Sequence, residues 1–369
     1  MTSRKFARIS RGRQPLQAGF TLIELLVGMA IGLLATLVVM QVFSVFETQK
    51  RSTAGGGDAM TNGNIALYRV SHDLQMAGYA LTNTGDPGKA DSAFECVPPV
   101  ENYSIAGVAA SAVSLSPVSI TDGGSGAGGD SITIRFGTSN FGGLTTSVQG
   151  PWIGNAAPVG SSLGCASNDV ALVINGPSCA LTRLDTSTPT ATTISFIDDR
   201  AATLAAKDSQ ITCLGDWNEI TYSVDPATNN LLSGGNPTVE GIVNLQAQYG
   251  VSAPGLSSSD AAYNTVAAWV NADTAPWIAP GVTDRNRIKA VRLAIIARNA
   301  KREFETVTDI CPSTNGTINK GPCVWPDSPL GDAPAVDLSA DPDWQHYRYK
   351  VFETIVPLRN VLWAKGTLP

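Results

Sequence analysis

The sequence predicts an α+β protein: a long N-terminal helix, membrane-embedded over its first half, packed on a large antiparallel β-rich C-terminal domain stapled by disulfides. Three observations predict it. An apolar run of membrane-spanning length starts at Phe20. A more polar stretch with helical periodicity follows it to about Gly78. The rest of the 369-residue chain reads as short apolar or alternating runs between turn signals, in a composition of only 15% charged residues with 36 glycines, and it holds all six cysteines.

The first element is defined by charge. Residues 1–19 hold Arg4, Lys5, Arg8, Arg11 and Arg13 and no acid, which predicts a cytoplasmic N-terminus and an exported C-terminal domain. From Phe20 to Phe46 the only charged residue is Glu24. A lone carboxylate at bilayer depth is costly and needs a partner. An ordinary secretory signal is cut after its apolar region, but here the small residue Gly19 precedes it. A cut after Gly19 would remove the basic leader and leave Phe20 as a new terminus with the anchor intact. An uncut signal anchor and a removed signal peptide are the rival readings, and the run is too long for the second.

Glu47 to Arg51 is a polar crossing into water. Gly55-Gly56-Gly57 then disfavours helix by about 1 kcal/mol per Gly relative to Ala. Met60, Leu67, Val70, Leu74 and Ala77 resume one apolar face. The expectation is one helix from about Phe20 to Gly78, weak or bent at the triple Gly, its second half lying against a sheet and ending at Gly78.

Beyond it, 81–117 reads as loop and the Gly-rich 122–130 as a solvated loop, in which Gly128-Gly129-Asp130 is a single copy of a calcium-repeat-like triplet. Strands are expected over 131–136, 169–175 and 193–197, and a hairpin joins 219–224 to Leu231-Leu232. Val243, Leu245, Ala247, Tyr249 and Val251 alternate, so one face of that strand is expected to be buried. Residues 260–273 read as a short helix carrying Trp269. The stretch 287–298 is apolar on both faces, as in a central covered strand. An irregular segment, 306–343, precedes a last strand, 347–356, which Pro357-Leu358-Arg359-Asn360 closes.

Five of the 25 basic residues lie in the leader, so the remainder carries 20 against 31 acidic, a net of −11. That is a poor match for nucleic acid, and none is expected as a partner. Six cysteines allow 15 pairings, and the sequence does not choose among them. Cys311–Cys323 and Cys165–Cys179 would close short loops and leave Cys96–Cys213. No Cys-x-x-Cys or Cys/His cluster suggests a metal, and no cofactor is expected. His72 and His346 are the only histidines, and a Ser–His–Asp triad has no supporting local context, so no catalytic residue is assigned. Six of the seven tryptophans, Trp217, Trp269, Trp277, Trp325, Trp344 and Trp363, read mostly as core or interface packing, with a carbohydrate- or surface-binding patch as the alternative.

Gly19 followed by Phe20-Thr21-Leu22-Ile23-Glu24-Leu25-Leu26-Val27 resembles the class III signal of type IV pilins and type II secretion pseudopilins. The resemblance implies that a prepilin peptidase cuts after Gly19 and methylates the Phe20 amine. It also supplies a partner for Glu24, the terminal amine of a neighbouring subunit. The stretch from Asn62 to Tyr79, ending Asp73-Leu74-Gln75-Met76-Ala77-Gly78-Tyr79, is similar to the helix end of the PilW family of minor pilins. So are Val243 to Gly250 and the order apolar strand, disulfide-bearing loop, final strand into Pro-Leu-Arg-Asn. Under this resemblance, 1–19 is a cleaved prepilin leader, 20–46 the transmembrane and filament-core helix, 47–80 its amphipathic half and 81–369 the exported domain. The implied function is type IV pilus assembly and priming in a tip complex. The implied partners are the prepilin peptidase, other minor pilins, the major pilin, the inner-membrane assembly platform and a tip adhesin. The implied location is the inner membrane as a single-pass protein and then the pilus. A J-type pseudopilin of type II secretion and a pilus-anchored adhesin or ligand-binding module are the alternatives.

Overall fold

The computed structural model describes residues 19–81, 93–257 and 260–363. The basic leader residues Arg4 to Arg13 lie outside them. The chain divides between Ala54 and Gly55 into two compact units. One helix, α1, spans Leu22–Met76, and all three glycines at 55–57 are helical within it. The expected single helix therefore runs through the triple Gly without interruption. Gly55 also has a packing reason: a Cβ there would lie 3.2 Å from the Asn299 side chain.

The buried face of the second half of α1 is the expected one at Val70, Leu74 and Ala77 and differs at Met60 and Leu67. Ala59, Gly63, Ala66, Val70 and Leu74 face inward, while Met60 is exposed and Leu67 only half-buried. Size decides this. A Cβ on Gly63 would come within 2.0 Å of the Phe352 ring, so the strand carrying Phe352 approaches the helix where there is no side chain. Close to Phe352 only small residues fit, whereas Val70 and Leu74 are accommodated further along.

Three main sheets follow, antiparallel except where 100–102 runs parallel to 178–183 and Gly128–Gly129 parallel to 242–251. The C-terminal sheet has the order 268–270, 242–251, 288–298, 349–357, with Gly128–Gly129 added parallel to 242–251. The hairpin sheet has the order 236–240, 230–233, 217–225, 131–137, 118–121. One core joins α1 to both: Val70 and Leu74 pack with Ile132, Ile134, Leu245, Val291, Leu293 and Ile295. The opposite face of the C-terminal sheet is covered by the 324–344 stretch, where Val324, Trp325, Val336, Leu338 and Trp344 meet Val243, Ala294 and Ile296. The strand 288–298 is thus covered on both sides, as its pattern predicts.

The neighbouring strand, Ile242–Val251, departs from prediction, because all ten of its residues are buried. Its polar positions are satisfied instead of solvated. Asn244 Nδ2 donates to the Gly126 carbonyl at 2.9 Å, and Gln246 Nε2 to the Gly124 carbonyl at 3.3 Å. Gln248 Oε1 accepts from Arg292 Nε at 2.8 Å. The Arg292 guanidinium lies 4.3 Å from the Trp325 ring centre and 5.1 Å from that of Trp269. The Gly-rich loop is solvated over residues 123–127, as expected, but its end at Gly128 and Asp130 is buried. Asp130 is 2% exposed and accepts from Gly123 N at 3.0 Å and Ala247 N at 2.8 Å. Burial pushes its carboxyl up to about 7. The expected helix over 260–273 is also absent: 261–264 is turn, and Trp269 lies on the short strand Ala268–Val270, paired to 249–251.

The third sheet lies in the region 81–213, which composition alone describes poorly. Its order is 111–113, 100–102, 178–183, 170–175, 210–215, 145–147. It explains the cysteine pairing. Cys311–Cys323 closes its short loop, but the other four pair as Cys96–Cys179 and Cys165–Cys213. The hairpin of 170–175 and 178–183 turns between Asn175 and Ser178, so Cys179 sits at its turn end and Cys165 beyond its open end. That keeps Cys165 from reaching Cys179, since six strand residues span about 20 Å. Cys213 lies opposite Ala171, near the open end, and meets Cys165. Val97 N bonds the Pro177 carbonyl at 2.8 Å, which brings Cys96 to the turn end.

Candidate assembly site

The start of α1 is where the sequence concentrates its chemistry. Gly19, Phe20 and Thr21 precede the helix, and Phe20 is 89% exposed. Thr21 and Glu24 form a reciprocal capping box. Glu24 Oε2 accepts from Thr21 N at 2.9 Å and Thr21 Oγ1 at 2.8 Å, while Glu24 N lies 3.3 Å from Thr21 Oγ1. Within a hydrocarbon core, where orphan N–H groups have no water to bind, such a cap would satisfy them. The acid therefore has a local hydrogen-bond partner that the sequence reading did not foresee. Its charge has no cation paired to it among the described residues.

The helix then offers Leu22–Glu47, long and apolar enough to cross a membrane. At 1.5 Å per residue its 26 residues reach about 39 Å, against a hydrocarbon core of about 30 Å. Every side chain from 22 to 46 is exposed. The hydroxyls of Thr36 and Ser44 turn back to the carbonyls of Leu33 and Gln41, at 2.8 and 2.9 Å, so they add no unpaired donor.

The other end of α1 is tied into the β-rich unit by residues distant in sequence. Gly78 takes φ +76°, and its N–H donates to the Arg135 carbonyl at 2.9 Å. Gly137 N donates to the Tyr79 carbonyl at 2.9 Å, and Tyr79 Oη to the Ser139 carbonyl at 3.0 Å. Tyr222 Oη donates to Asp73 Oδ2 at 2.8 Å. Burial, and then the bond to Asp73, push the Tyr222 hydroxyl up to about 12. Asn360 Nδ2 lies 3.3, 3.3 and 3.1 Å from the carbonyls of Gln75, Met76 and Ala77. Those are the orphan acceptors of a helix end. Sequence reading placed Asn360 only as part of a strand terminus and gave Tyr222 no role. The spelling Asp-x-x-x-Ala-Gly-Tyr marks the helix end, but nothing in it points to either partner.

No catalytic arrangement emerges among the described residues. His72 Nδ1 is 3.2 Å from its neighbour Asp73, and His346 Nδ1 is 3.0 Å from the Glu305 carbonyl, and neither bonds a serine. Contrary to the expectation of no supporting local context, Gly160-Ser161-Ser162-Leu163-Gly164 has the spelling of a nucleophile elbow, but it lies in a loop with no helix after it. Of the other acids, Asp198 pairs with Arg200 and Glu219 with Arg135. Trp277, Trp325 and Trp344 are buried, as packing residues are, and the Trp363 side chain lies outside the described residues.

An exposed apolar helix with a capped acid in its first turn, followed by a disulfide-stapled β-rich domain that holds the helix end, is the architecture of a pilin-type protein. The family comparisons agree with that class: the prokaryotic N-terminal methylation motif matches residues 15–40. The model of type IV pilus-assembly protein W matches residues 214–360, from the end of the strand 210–215 to Asn360, and the two matches together support a type IV pilus minor pilin of the PilW kind. No curated protein and no solved structure matches it.

Proposed function

We propose that this pilus-assembly pilin acts in priming the fibre, within the minor pilin complex at its tip, and is not an enzyme. The observation that carries the reading is Glu24, held in the first turn of an anchor whose whole circumference is left uncovered. Leader removal after Gly19 would expose the Phe20 amine, on which methylation would follow. Anchors of neighbouring subunits would then pack, and Glu24 of one would meet a terminal amine of another as both leave the lipid. A charge pair shielded from water stabilises only if both members are present, so it serves as a docking check. The domain would lie outside the inner membrane before assembly. Its size favours the tip, because bulk beside the helix axis is hard to repeat laterally.

Deletion of the gene tests the role: surface fibres should be lost or strongly reduced, and an unchanged fibre count would refute priming. Gly19→Ala tests the processing step. Intact mass should then include the leader, and a mass beginning at a methylated Phe20 would overturn the cleavage assignment.

A further inference from the structure

We propose that the loop 300–305 touches the bilayer surface while the chain is still anchored, with the Phe304 ring seated among the lipid headgroups. The inference rests on the anchored stage of the assembly role above. Phe304 is 93% exposed, more than any other large apolar residue among those described. The loop that carries it is held in place. Asn299 Nδ2 donates to the Lys301 carbonyl at 2.8 Å, Glu303 N to the His346 carbonyl at 2.8 Å and Val307 N to the Gln345 carbonyl at 2.9 Å. Glu303 pairs with Arg348 at 2.6 Å, and Arg302 with Asp343 at 2.9 Å. The chain is thus fixed on both sides of a ring left almost wholly bare.

Its place in the fold brings it to the lipid. Strand 288–298 pairs with 349–357, and the ladder continues where Asn299 N donates to the Arg348 carbonyl at 3.0 Å. That end of the sheet meets α1 at Gly55, where a Cβ would lie 3.2 Å from the Asn299 Cβ. The other end meets α1 at Ala77, through Asn360. The loop therefore leaves the sheet beside the earliest residue of the buried half of α1. Gly55 follows Glu47, where the apolar span stops, by eight residues, which cover about 12 Å as helix. Phe304 follows Asn299 by five residues, a reach of up to about 17 Å.

The occupant follows from this tether. The anchor holds the loop beside lipid at an effective concentration that a soluble partner does not match. An aromatic ring suits the headgroup layer, and Lys301 and Arg302 suit its phosphates. Glu303 and Glu305 balance these two cations, so residues 301–305 carry no net charge and the seating depends on the ring.

The test is photocrosslinking of the full chain reconstituted in lipid vesicles, comparing Phe304→p-benzoylphenylalanine with Ile278→p-benzoylphenylalanine. Ile278 is 65% exposed, but its neighbour Trp277 lies against Arg287, at the opposite end of strand 288–298. Lipid adducts, read by mass spectrometry, should be at least tenfold more abundant for the Phe304 variant, on phosphatidylcholine and on phosphatidylglycerol vesicles alike. Equal yields from the two variants, or Phe304 adducts confined to phosphatidylglycerol, would overturn the seating of the ring and leave the assembly role standing. A chain that carbonate strips from the vesicles would overturn the anchor itself.

Discussion

The two halves of α1 are written for different surroundings. In the first, Gly28 and Gly32 have open space where a Cβ would stand, and every side chain from 22 to 46 is uncovered. In the second, Gly63 has none, and Ala66, Val70 and Leu74 are fully buried against the chain's own sheets. One half is completed within the molecule, and the other leaves its burial to lipid or to neighbours. Polar groups follow the same division. In the first half they are few and bonded within their own turn, as with Thr21 and Glu24. In the second, Asp73 reaches across to Tyr222. The comparison shows that an apolar helix does not by itself say what it will touch; the size of its residues along one seam does.

The largest effect should come from breaking the first half. Glu24→Ala is expected to leave membrane insertion and the melting of the β-rich unit unchanged, and to reduce recovery of the chain in sheared fibres at least tenfold. Normal recovery would remove the charge-pair reading. Next, Cys96→Ser should destabilise the β-rich unit by about 3 kcal/mol. Non-reducing peptide mapping of the parent chain should find Cys96 with Cys179 and Cys165 with Cys213, and a Cys165–Cys179 peptide would refute the sheet register described above.

Gly63→Ala should cost about 1–2 kcal/mol in spite of the better helix propensity of Ala, because overpacking against Phe352 outweighs it. Gly28→Ala should not change the melt of the β-rich unit. Equal effects of the two would erase the contrast between the halves.

The smallest effect concerns Asp130. Burial holds its carboxyl up at about 7, above the ordinary carboxylate value of 3.8, so the folded state binds the extra proton between those pH values. The contribution is fully present below about pH 4 and is lost as pH rises through about 7. Chemical denaturation of wild type and Asp130→Asn across pH 4–8 should show this falling slope in wild type only. A difference between the two that does not vary with pH would contradict it.

How much was legible follows from the range of each interaction. The strands at 131–137, 170–175 and 288–298 and the hairpin of 217–225 with 230–233 announce themselves through local pattern. The Pro357 strand end does too. Alternation misled at 242–251, because Asn244, Gln246 and Gln248 look like solvent positions until the glycine loop and Arg292 arrive to satisfy them. The face of α1 was misjudged at Met60 because periodicity ranks apolar size, whereas the seam near Phe352 requires smallness. Asn360 was quoted without a role, since its acceptors lie more than 280 positions earlier.

By itself the sequence determined the apolar helix, its single acid and the β-rich character of the rest. Each is a property of neighbouring residues: hydropathy, charge and alternation act over a few positions. Only the tertiary structure decided which cysteines meet, which face of the helix is covered and which buried polar groups are satisfied. Those outcomes depend on where a hairpin turns and which strand lies beside which, and residues far apart in the chain settle them together.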